Sequence, residues 1–382
     1  MDKTILLIAN TTGCLLNFRH GLLKRLLADG YKVITLAPYN SQEAYSTDAV
    51  KELESWGITC KDIDFNSKGM NPIEDLKLVK TYIKEFKLIK PDIILSYTIK
   101  SNIYGSVAAR KLGIPILANI TGLGNLYANP TILTNVADVL YKWGFKKTHT
   151  VFFQNQDDMD LFISKKNVKA DQCGRLPGSG INLEKFKPQE KESENGNIKF
   201  LVIARLIWDK GIEYYIDAIK KLKPKYNNLE FQILGELGVN NPSAIPKDQV
   251  DSWISQGLIN YLGTSSDVRN IIKEVDCMIL PSIYREGVPR TLIEGSSMGK
   301  PIITTDNVGC RDIVEHGYNG YLCKKRDSND LAEKIELFLN LSDKEKEIMG
   351  NNGRQKAIDE FNEEIVISRY LDRMNSILKV ER

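Results

Sequence analysis

Short apolar runs alternate with longer amphipathic stretches along the chain, a rhythm that predicts parallel strands connected by helices. In the first half, apolar runs predict strands at residues 4–9, 32–37, 59–65, 92–96, 115–119 and 150–154. In the second half, they predict strands at residues 199–204, 230–234, 259–262, 276–280, 301–304 and 320–323. Helical periodicity follows at residues 17–30, 50–56, 72–90, 103–112, 131–147 and 212–222. We therefore expect two doubly wound parallel sheets.

A stretch rich in turn residues separates the two sets of strands. It contains Pro177, Gly178 and Gly180 and continues into a polar segment at residues 189–197. We place a domain hinge between about residues 170 and 195. This predicts an N-terminal domain over residues 1–175 and a C-terminal domain over residues 195–362. A final helix at residues 363–380 follows the completed second sheet and is free to return to the first domain.

The loops after the carboxyl ends of parallel strands are where doubly wound sheets bind ligands. In the first half these loops contain Gly13, residues 97–102 and the glycine-punctuated residues 121–125. We expect the three loops to lie at one crevice. Gly13 stands nearly alone rather than in a GxGxxG fingerprint, which argues against a nicotinamide dinucleotide.

Residues 282–295, SIYREGVPRTLIEG, join an apolar strand to a predicted helix. Pro289 or Arg290 opens that helix, whose first N–H groups and positive dipole end favour an anion. Glu286 lies in the loop, and Glu294 lies one turn into the helix. N–H donors suit phosphate and carboxylates suit sugar hydroxyls, so the stretch fits a nucleotide-sugar.

A second strand-to-helix connection carries two cations, Arg205 and Lys210, directly before Gly211. A guanidinium fork together with an ammonium point charge is suited to clamping a diphosphate. The alternative is a pair of solvated cations at a strand end. Gly263 and Thr264 follow another strand, and their backbone groups could pair with the edge of a nucleobase.

The composition excludes several classes of function. A formal net charge of only +3 argues against a dedicated nucleic-acid-binding protein. The six cysteines contain no CxxC pair, which favours free thiols in a reducing compartment. The three histidines show no metal-ligand spacing, and neither a leader segment nor an apolar run of membrane-spanning length is apparent.

Charge is distributed unevenly, with 22 basic against 16 acidic residues over positions 1–170. A basic first half suits an anionic membrane surface or a diphosphate-bearing acceptor, and ordinary surface charge explains it equally well. The amphipathic residues 18–27 leave the same choice open, since such a helix either faces the core or lies on a membrane. Any membrane contact is expected to be peripheral.

Several motifs together resemble the retaining glycosyltransferase family 4, which has the GT-B fold. They are Arg205 with Lys210, Glu286-x7-Glu294 and Gly309-Cys-Arg311, and the likeness covers nearly the whole chain. The implied fold is α/β, with two Rossmann-like doubly wound parallel-sheet domains facing a central cleft. Residues 97–105 and 119–124 resemble bacterial members that extend undecaprenyl-diphosphate-linked sugars for surface glycans.

The resemblance implies roles for individual residues. Arg205 and Lys210 would hold the donor diphosphate and stabilise the leaving group, and Glu286, the third catalytic residue, would contact donor-sugar hydroxyls. Glu294 would bind the ribose, and the other implied donor-binding residues are Gly13, Gly263, Thr264, Gly287, Val288, Pro289, Thr291 and Leu292. The implied acceptor-binding residues of the N-terminal domain are Asn17, Lys100, Ser101, Asn102, Thr121 and Gly122.

The chain departs from the family at one position. Many members carry a histidine where this chain has residues 98–100, so a histidine contact to the donor sugar is not expected there. Lys100 could supply a cation to a diphosphate instead, as a hypothesis that loss of function in Lys100→Ala would support.

The implied reaction moves an N-acetylhexosamine from UDP-GalNAc or UDP-GlcNAc to an undecaprenyl-diphosphate-linked saccharide. Retention of configuration is implied, with no metal or other cofactor and no nucleic acid. The expected location is cytoplasmic, peripheral on the anionic inner face of the bacterial plasma membrane. Front-face attack is favoured over double displacement. The competing functions are a glycosidase that uses the two glutamates, a nucleotide-sugar 2-epimerase, and a non-catalytic nucleotide-sugar sensor.

Overall fold

The computed structural model describes residues 3–39, 46–66, 71–192 and 196–380. The chain divides into two compact units. The first unit comprises Met1–Gly122, Pro130–Ser179 and Glu363–Arg382, and the second comprises Leu123–Asn129 and Gly180–Asn362. One break between the units therefore follows Ser179, in the region of the predicted hinge, whose residues 193–195 lie outside the described ranges.

The strands, in chain order, are β1 (Thr4–Ile8), β2 (Lys32–Leu36), β3 (Thr59–Lys61), β4 (Ile93–Tyr97), β5 (Ile116–Ile120), β6 (Thr150–Phe153), β7 (Cys173–Arg175), β8 (Ile198–Ile203), β9 (Leu229–Leu234), β10 (Asn260–Tyr261), β11 (Cys277–Leu280), β12 (Ile302–Thr305) and β13 (Gly320–Cys323). The α-helices are α1 (Thr12–Ala28), α2 (Ser46–Ser55), α3 (Pro72–Ile89), α4 (Ile99–Leu112), α5 (Gly124–Ala128), α6 (Ile132–Gly144), α7 (Gln156–Ser164), α8 (Ile212–Leu222), α9 (Lys247–Ser255), α10 (Arg269–Ile272), α11 (Arg290–Ser297), α12 (Ser328–Leu339), α13 (Asp343–Glu360) and α14 (Glu363–Val380). None of these helices is both long and apolar enough to cross a bilayer, over the residues described.

The first unit is built on a parallel sheet with strand order β3-β2-β1-β4-β5-β6-β7. The order reverses between β1 and β4, which is the switch point of a doubly wound sheet. The apolar side chains of α1 and α14 pack into one core with β1 and β4, and Leu22, Leu26, Tyr370 and Met374 are all buried there. Residues 18–27 therefore form part of a core-facing helix.

Helices α3, α4 and α6 pack side by side in the same unit. Their connections run from β3 to β4, from β4 to β5 and from β5 to β6, against the direction of the connections that hold α1 and α2. Because parallel crossovers are right-handed, these three helices cover the face of the sheet opposite to α1.

The second unit has a parallel sheet with strand order β10-β9-β8-β11-β12-β13. All six strands predicted for the second half are present, and α8 has the predicted bounds. Two apolar clusters cover the sheet, one around Phe200, Tyr215 and Phe231 and the other around Leu280 and Leu292. Both sheets are buried on their two faces, which explains why the strands appear as uninterrupted apolar runs.

Several predicted loops of the first half are helical. Helix α1 begins at Thr12 rather than at Asn17, because the Thr11 side chain accepts the Cys14 N–H at 3.0 Å and caps it. Helix α4 begins at Ile99, so the prediction of a loop over residues 97–102 is wrong. The predicted loop at residues 121–125 contains the start of α5, and the three-residue strand β7 was not predicted.

Candidate functional site

The loop between β11 and α11 is held by backbone and side-chain hydrogen bonds within the second unit. The Asn307 side-chain amide donates to the carbonyl oxygens of Ser282 (3.2 Å) and Tyr284 (2.7 Å). The Asp209 carbonyl accepts from the N–H groups of Ile283 and Tyr284, each at 3.0 Å. The carboxyl ends of β8, β11 and β12 thereby converge on one loop, as expected for ligand-binding loops of a doubly wound sheet.

Glu286 of this loop forms an ion pair with Lys210 of the connection between β8 and α8, with the ammonium nitrogen 2.6 Å from Oε1. The Ser282 hydroxyl donates to the same oxygen at 2.8 Å. The two charged side chains are only 14% and 10% exposed, so the pair is largely removed from water. The Lys210 ammonium also lies 5.3 Å from the centre of the Tyr284 ring, a cation–π contact. Two residues predicted from separate motifs thus form one ion pair.

Two glycines allow the surrounding segments to reach this loop. Gly211 has φ +73°, and a Cβ there would overlap the carbonyl oxygen of Pro281. Gly309 has φ +79°, and a Cβ there would overlap the carbonyl oxygen of Gly287. Both positions have a left-handed backbone and lie against a carbonyl oxygen of the chain. A residue with a side chain would be strained in this conformation and would clash with that oxygen. The geometry explains why glycine occurs in both sequence motifs.

Arg205 follows β8 and is exposed. Over the ranges that the structure describes, its guanidinium makes no hydrogen bond and no ion pair. Burial raises the pKa of the Tyr284 phenol, Glu286 raises it further, and Arg205 opposes both effects. Arg205 is therefore close enough to act on the loop electrostatically while its donors are available to an anionic ligand.

Helix α11 begins as the sequence predicts, with Pro289 at the N-cap position and no side-chain cap. Arg290 Nε donates to Glu294 Oε1 at 2.9 Å, which places Glu294 one turn into the helix on the expected side. Burial raises the pKa of Glu294, whereas Arg290 and then Lys185 lower it. The helix N-terminus thus presents a positive dipole end with a nearby buried carboxyl group.

The remaining predicted donor residues of the second unit lie along the same strand ends. Val288 is buried against the core, and Gly287 and Pro289 are buried beside it. Thr291 is half-buried and Leu292 is buried in the first turn of α11. Gly263 has φ +71° and its carbonyl accepts the Gly235 N–H at 2.7 Å, and Thr264 is exposed. Contact of Gly263 and Thr264 with a nucleobase stays a prediction.

Gly13 and Asn17 belong to the first unit and both lie on α1. Gly13 is buried in the first helical turn, so the loop predicted around it is wrong, and Asn17 is exposed. Thr121 is exposed and Gly122 is half-buried just after β5. These four residues lie at the carboxyl ends of β1 and β5, where the sequence analysis expected them.

Lys100 lies in the first turn of α4 and is paired with Asp75 at 2.8 Å. The Tyr104 hydroxyl donates to the other oxygen of Asp75 at 2.6 Å. Both members of the Lys100–Asp75 pair are largely buried. A diphosphate could use this ammonium only in competition with a carboxylate, and the same cost applies to Lys210, which is paired with Glu286.

Ser101 and Asn102 are 0% and 1% exposed. The Ser96 hydroxyl donates to the Asn102 side-chain oxygen at 2.7 Å, and the Asn102 amide donates to the Asn119 carbonyl at 2.8 Å. The Tyr82 hydroxyl donates to Ser101 at 3.2 Å. These bonds attach α4 to the sheet. Direct acceptor contact by the two side chains does not fit this burial, because helix α4 occupies the segment expected to be a loop.

Several residues that support the second-unit loop were not predicted from the sequence. Gly124 donates its N–H to the Arg285 carbonyl at 2.9 Å, and the Asn125 amide reaches Asp209 Oδ2 at 3.4 Å. Ser282 and Asn307 were likewise given no role. The strand-end position of Asn307 could have pointed to it, whereas nothing local in the sequence indicates that residues 124 and 125 pack against residues 209 and 285.

No cluster of three His, Cys, Asp or Glu side chains suited to a metal ion occurs among the residues that the structure describes. The six cysteines form no disulfide, and Cys277, Cys310 and Cys323 are buried. Burial raises the pKa of Cys310 to about 12, which leaves this thiol protonated near neutral pH.

Comparisons with known proteins cover almost the entire chain. Residues 4–155 match a family model described as glycosyl transferase 4-like, and residues 184–356 match one described as glycosyl transferases group 1. The N,N'-diacetylbacillosaminyl-diphospho-undecaprenol alpha-1,3-N-acetylgalactosaminyltransferase of Campylobacter jejuni is 30% identical, with 95% of this chain and 96% of the relative covered. The UDP-Gal:alpha-D-GlcNAc-diphosphoundecaprenol alpha-1,3-galactosyltransferase of Escherichia coli is 26% identical, with 77% and 78% covered. A glycosyltransferase structure from Rickettsia africae superposes with a TM-score of 0.79 at 20% identity, with 99% of both chains covered.

Proposed function

Because the chain belongs to the group 1, family 4-like glycosyltransferases, we propose that it transfers an N-acetylhexosamine, such as GalNAc, from a UDP-sugar to an undecaprenyl-diphosphate-linked saccharide. The family, the enzyme class and the GT-B fold expected from the sequence are confirmed. The names of the Campylobacter jejuni and Escherichia coli relatives both specify an undecaprenyl-diphosphate acceptor, which supports the proposed acceptor class. A UDP donor is supported by the name of the Escherichia coli relative.

The observation that carries the proposal is the buried Lys210–Glu286 pair beside the exposed Arg205. Transfer requires the bond between the anomeric carbon and the β-phosphate oxygen to break, which leaves negative charge on UDP. Fixed cations and a helix N-terminus stabilise that charge without reorganising during the reaction. Such a preorganised group typically contributes about 10² to 10³ in rate.

We assign different tasks to the two cations. The Arg205 fork lies in solvent and is suited to engaging two phosphate oxygens. Lys210 is held in place by Glu286 and by the Tyr284 ring, so its ammonium is oriented before any donor binds. A side chain that is already oriented loses less conformational entropy when the donor binds. The activation free energy is therefore lower in the site than in water.

Glu286 is proposed to position the donor sugar rather than to attack it. One of its oxygens accepts hydrogen bonds from both Lys210 and Ser282. Ion pairing lowers the nucleophilicity of a carboxylate, so a covalent glycosyl–enzyme intermediate on Glu286 is disfavoured. We propose retention by front-face attack, in which the acceptor hydroxyl forms the new C–O bond and its proton passes to the departing phosphate oxygen.

The first unit is proposed to receive the acceptor at the carboxyl ends of β1 and β5. Asn17, Thr121 and Gly122 are the predicted acceptor residues that are exposed or half-buried there. Ser101 and Asn102 would support this edge from within the fold. We propose that the reaction takes place at the cytoplasmic face of the plasma membrane, without a metal ion and without nucleic acid.

A donor panel tests the proposal. The purified protein is incubated with UDP-GalNAc, UDP-GlcNAc, UDP-Gal and UDP-Glc, each with an undecaprenyl-diphosphate-linked saccharide, and UDP release and product mass are measured. One donor is expected to release UDP and add one N-acetylhexosamine mass, with EDTA having no effect. UDP-sugar isomerised without acceptor would indicate an epimerase, donor binding without UDP release a sensor, and cleavage of nucleotide-free glycosides a glycosidase.

A further inference from the structure

The outward side of α3 combines aliphatic and basic residues. Ile73 and Leu76, in the first turns of the helix, are 78% and 61% exposed. Four exposed lysines continue along the same side at helical spacing, namely Lys77, Lys80, Lys84 and Lys87. None of their ammonium groups forms a hydrogen bond or ion pair within the part of the chain that the structure describes. The inward residues Leu78, Tyr82 and Phe86 are buried, so the outward side is not needed by this core.

Helix α6 is apolar on both sides. Ala137 and Tyr141 are buried, whereas Ile132 is 81% exposed and Val139 is 67% exposed on the opposite side. Residues four and seven positions apart lie on one face of a helix, and the exposed aliphatic and aromatic side chains follow that spacing. The exposed stripe consists of Ile132, Val136, Val139 and Trp143.

The N-terminal ends of α3 and α6, which carry exposed aliphatic side chains, lie at one edge of the first unit. Helix α3 follows β3 and helix α6 follows β5, so each starts at the carboxyl edge of the parallel sheet. Helix α4 packs between them, and its first residue, Ile99, is also exposed. Exposed aliphatic side chains on three neighbouring helices exceed the scattered single residues common on soluble surfaces.

The acidic groups near this surface are paired with lysines, except Glu74, which is exposed beside Ile73. Asp75 of α3 pairs with Lys100, and Glu85 pairs with Lys61. Asp138 of α6 pairs with Lys165 at 2.6 Å. The net charge displayed outward by α3 is therefore positive, with four exposed lysines against Glu74. Aliphatic groups bordered by lysines are suited to an anionic bilayer. The aliphatic side chains would contact the acyl chains, and the lysine ammonium groups would bind the lipid phosphates.

We propose that the outward sides of α3 and α6 form a bilayer-binding face, through which the protein lies on an anionic membrane. We define this face as Ile73, Leu76, Ile132, Val136 and Val139 together with Lys77, Lys80, Lys84 and Lys87. The inference deepens the proposed function and rests on it for one point, that the acceptor is held in a membrane. It replaces residues 18–27, in which Leu22, Leu23 and Leu26 are buried, as the membrane-binding element.

Vesicle flotation tests the face with the full-length protein. Vesicles of phosphatidylcholine alone are compared with vesicles containing about one-quarter phosphatidylglycerol. Wild-type protein is expected to float with the anionic vesicles only. The variants I73S/L76S/I132S and K77Q/K80Q/K84Q/K87Q are each expected to bind at least about ten-fold more weakly. The control I254S/I348S, which replaces two exposed aliphatic residues of the second unit, should float like wild type.

Equal binding to neutral and anionic vesicles, or flotation of all variants like wild type, would overturn the proposal. So would a concentration-dependent dimer that the aliphatic variant abolishes, because a second copy of the chain would then be the occupant. Circular dichroism checks that each variant is folded.

Activity assays separate this inference from the proposed function. Transfer to a water-soluble short-chain acceptor should be unchanged in both variants, and transfer to a long-chain acceptor in vesicles should fall with binding. Loss of flotation with unchanged transfer in vesicles would contradict the bilayer-binding face alone. No transfer to either acceptor by wild type would contradict the proposed function and leave the flotation result standing.

Discussion

The strand-end loops of the two units use their polar residues in opposite ways. In the second unit, Lys210 and Glu286 form a preorganised pair beside the exposed Arg205. In the first unit, Ser101 and Asn102 are sealed inside the fold, and Lys100 pairs with Asp75 nearly as closely as Lys210 pairs with Glu286. Both sets occur at carboxyl strand ends, so position in a doubly wound sheet identifies the edge that binds ligands without identifying which side chains contact them.

The difference leads to separate expectations for substitutions. In the second unit, changes to Arg205, Lys210 and Glu286 should reduce turnover. In the first unit, changes to the buried polar residues should reduce stability, with turnover affected only through folding.

Lys210→Ala should have the largest effect. The rate of transfer should fall by about 10³-fold because a fixed cation is lost, and the free energy of unfolding should fall by about 3 kcal/mol because Glu286 is left buried without its partner. Steady-state kinetics and urea denaturation measure the two effects. The double variant Lys210→Met with Glu286→Gln should recover much of the stability and none of the rate. Recovery of turnover in the double variant would contradict the assignment of Lys210.

Gly309→Ala tests how strongly the second-unit loop depends on close backbone contact. A Cβ would overlap the Gly287 carbonyl at a position with φ +79°, so we expect a loss of about 3 kcal/mol in unfolding free energy. Gly317→Ala is the matched control, because Gly317 has φ +81° with no atom near its Cβ position. It should lose only about 1 kcal/mol. Equal losses would show that the contact with Gly287 is unimportant.

Asn102→Ala examines the first unit. Loss of the bonds to Ser96 and Asn119 should lower the unfolding free energy by about 1–3 kcal/mol. The KM for the acceptor should stay unchanged at a temperature where the variant is folded. Asn17→Ala, at an exposed position, should show the reverse pattern, with normal stability and a raised acceptor KM. An Asn102 variant of normal stability and raised KM would restore the original prediction of direct contact.

Glu294→Gln should have the smallest effect, on the pH dependence of stability. Burial raises the pKa of Glu294 above its ordinary value of 4.5, so the folded protein binds this proton more tightly than the unfolded chain does. The stability from this group is present below pH 4.5 and is lost as the pH rises through the folded-state pKa. Denaturation is measured at pH 4, 5.5 and 7. The free energy of unfolding of the glutamine variant, relative to that of wild type, should therefore increase as the pH rises. If the unfolding free energy of the variant, relative to wild type, instead decreased as the pH rises, the upward shift in the pKa of Glu294 would be contradicted.

Much of the second unit could be predicted because its strands are buried on both faces and its key residues lie in contiguous motifs. The bounds of α8 and the N-terminus of α11 follow from Gly211 and Pro289. The Arg290–Glu294 contact follows from helical spacing alone. The Lys210–Glu286 pair joins residues 76 positions apart, and only the fold brings them together.

The first unit was harder to predict because its helices start at unusual residues. Thr98 precedes α4 with φ +73°, a conformation that β-branched residues rarely adopt, so the sequence favours a longer loop there. Gly13 lowers helix propensity at the start of α1, and the Thr11 cap overrides it. The burial of Ser101 and Asn102 depends on that early start of α4, and no periodicity within residues 97–102 indicates it.

Calorimetric titration of UDP tests the central claim most directly, that the charged strand-end loops of the second unit hold the donor diphosphate. Arg205→Ala should bind UDP at least about ten-fold more weakly than wild type with unchanged stability. The guanidinium would supply charge-assisted hydrogen bonds to phosphate, and it bonds to no side chain or carbonyl among the residues that the structure describes. Lys100→Ala, which removes a cation from the first unit, should bind UDP like wild type. Unchanged UDP affinity in Arg205→Ala together with a marked loss in Lys100→Ala would contradict the account.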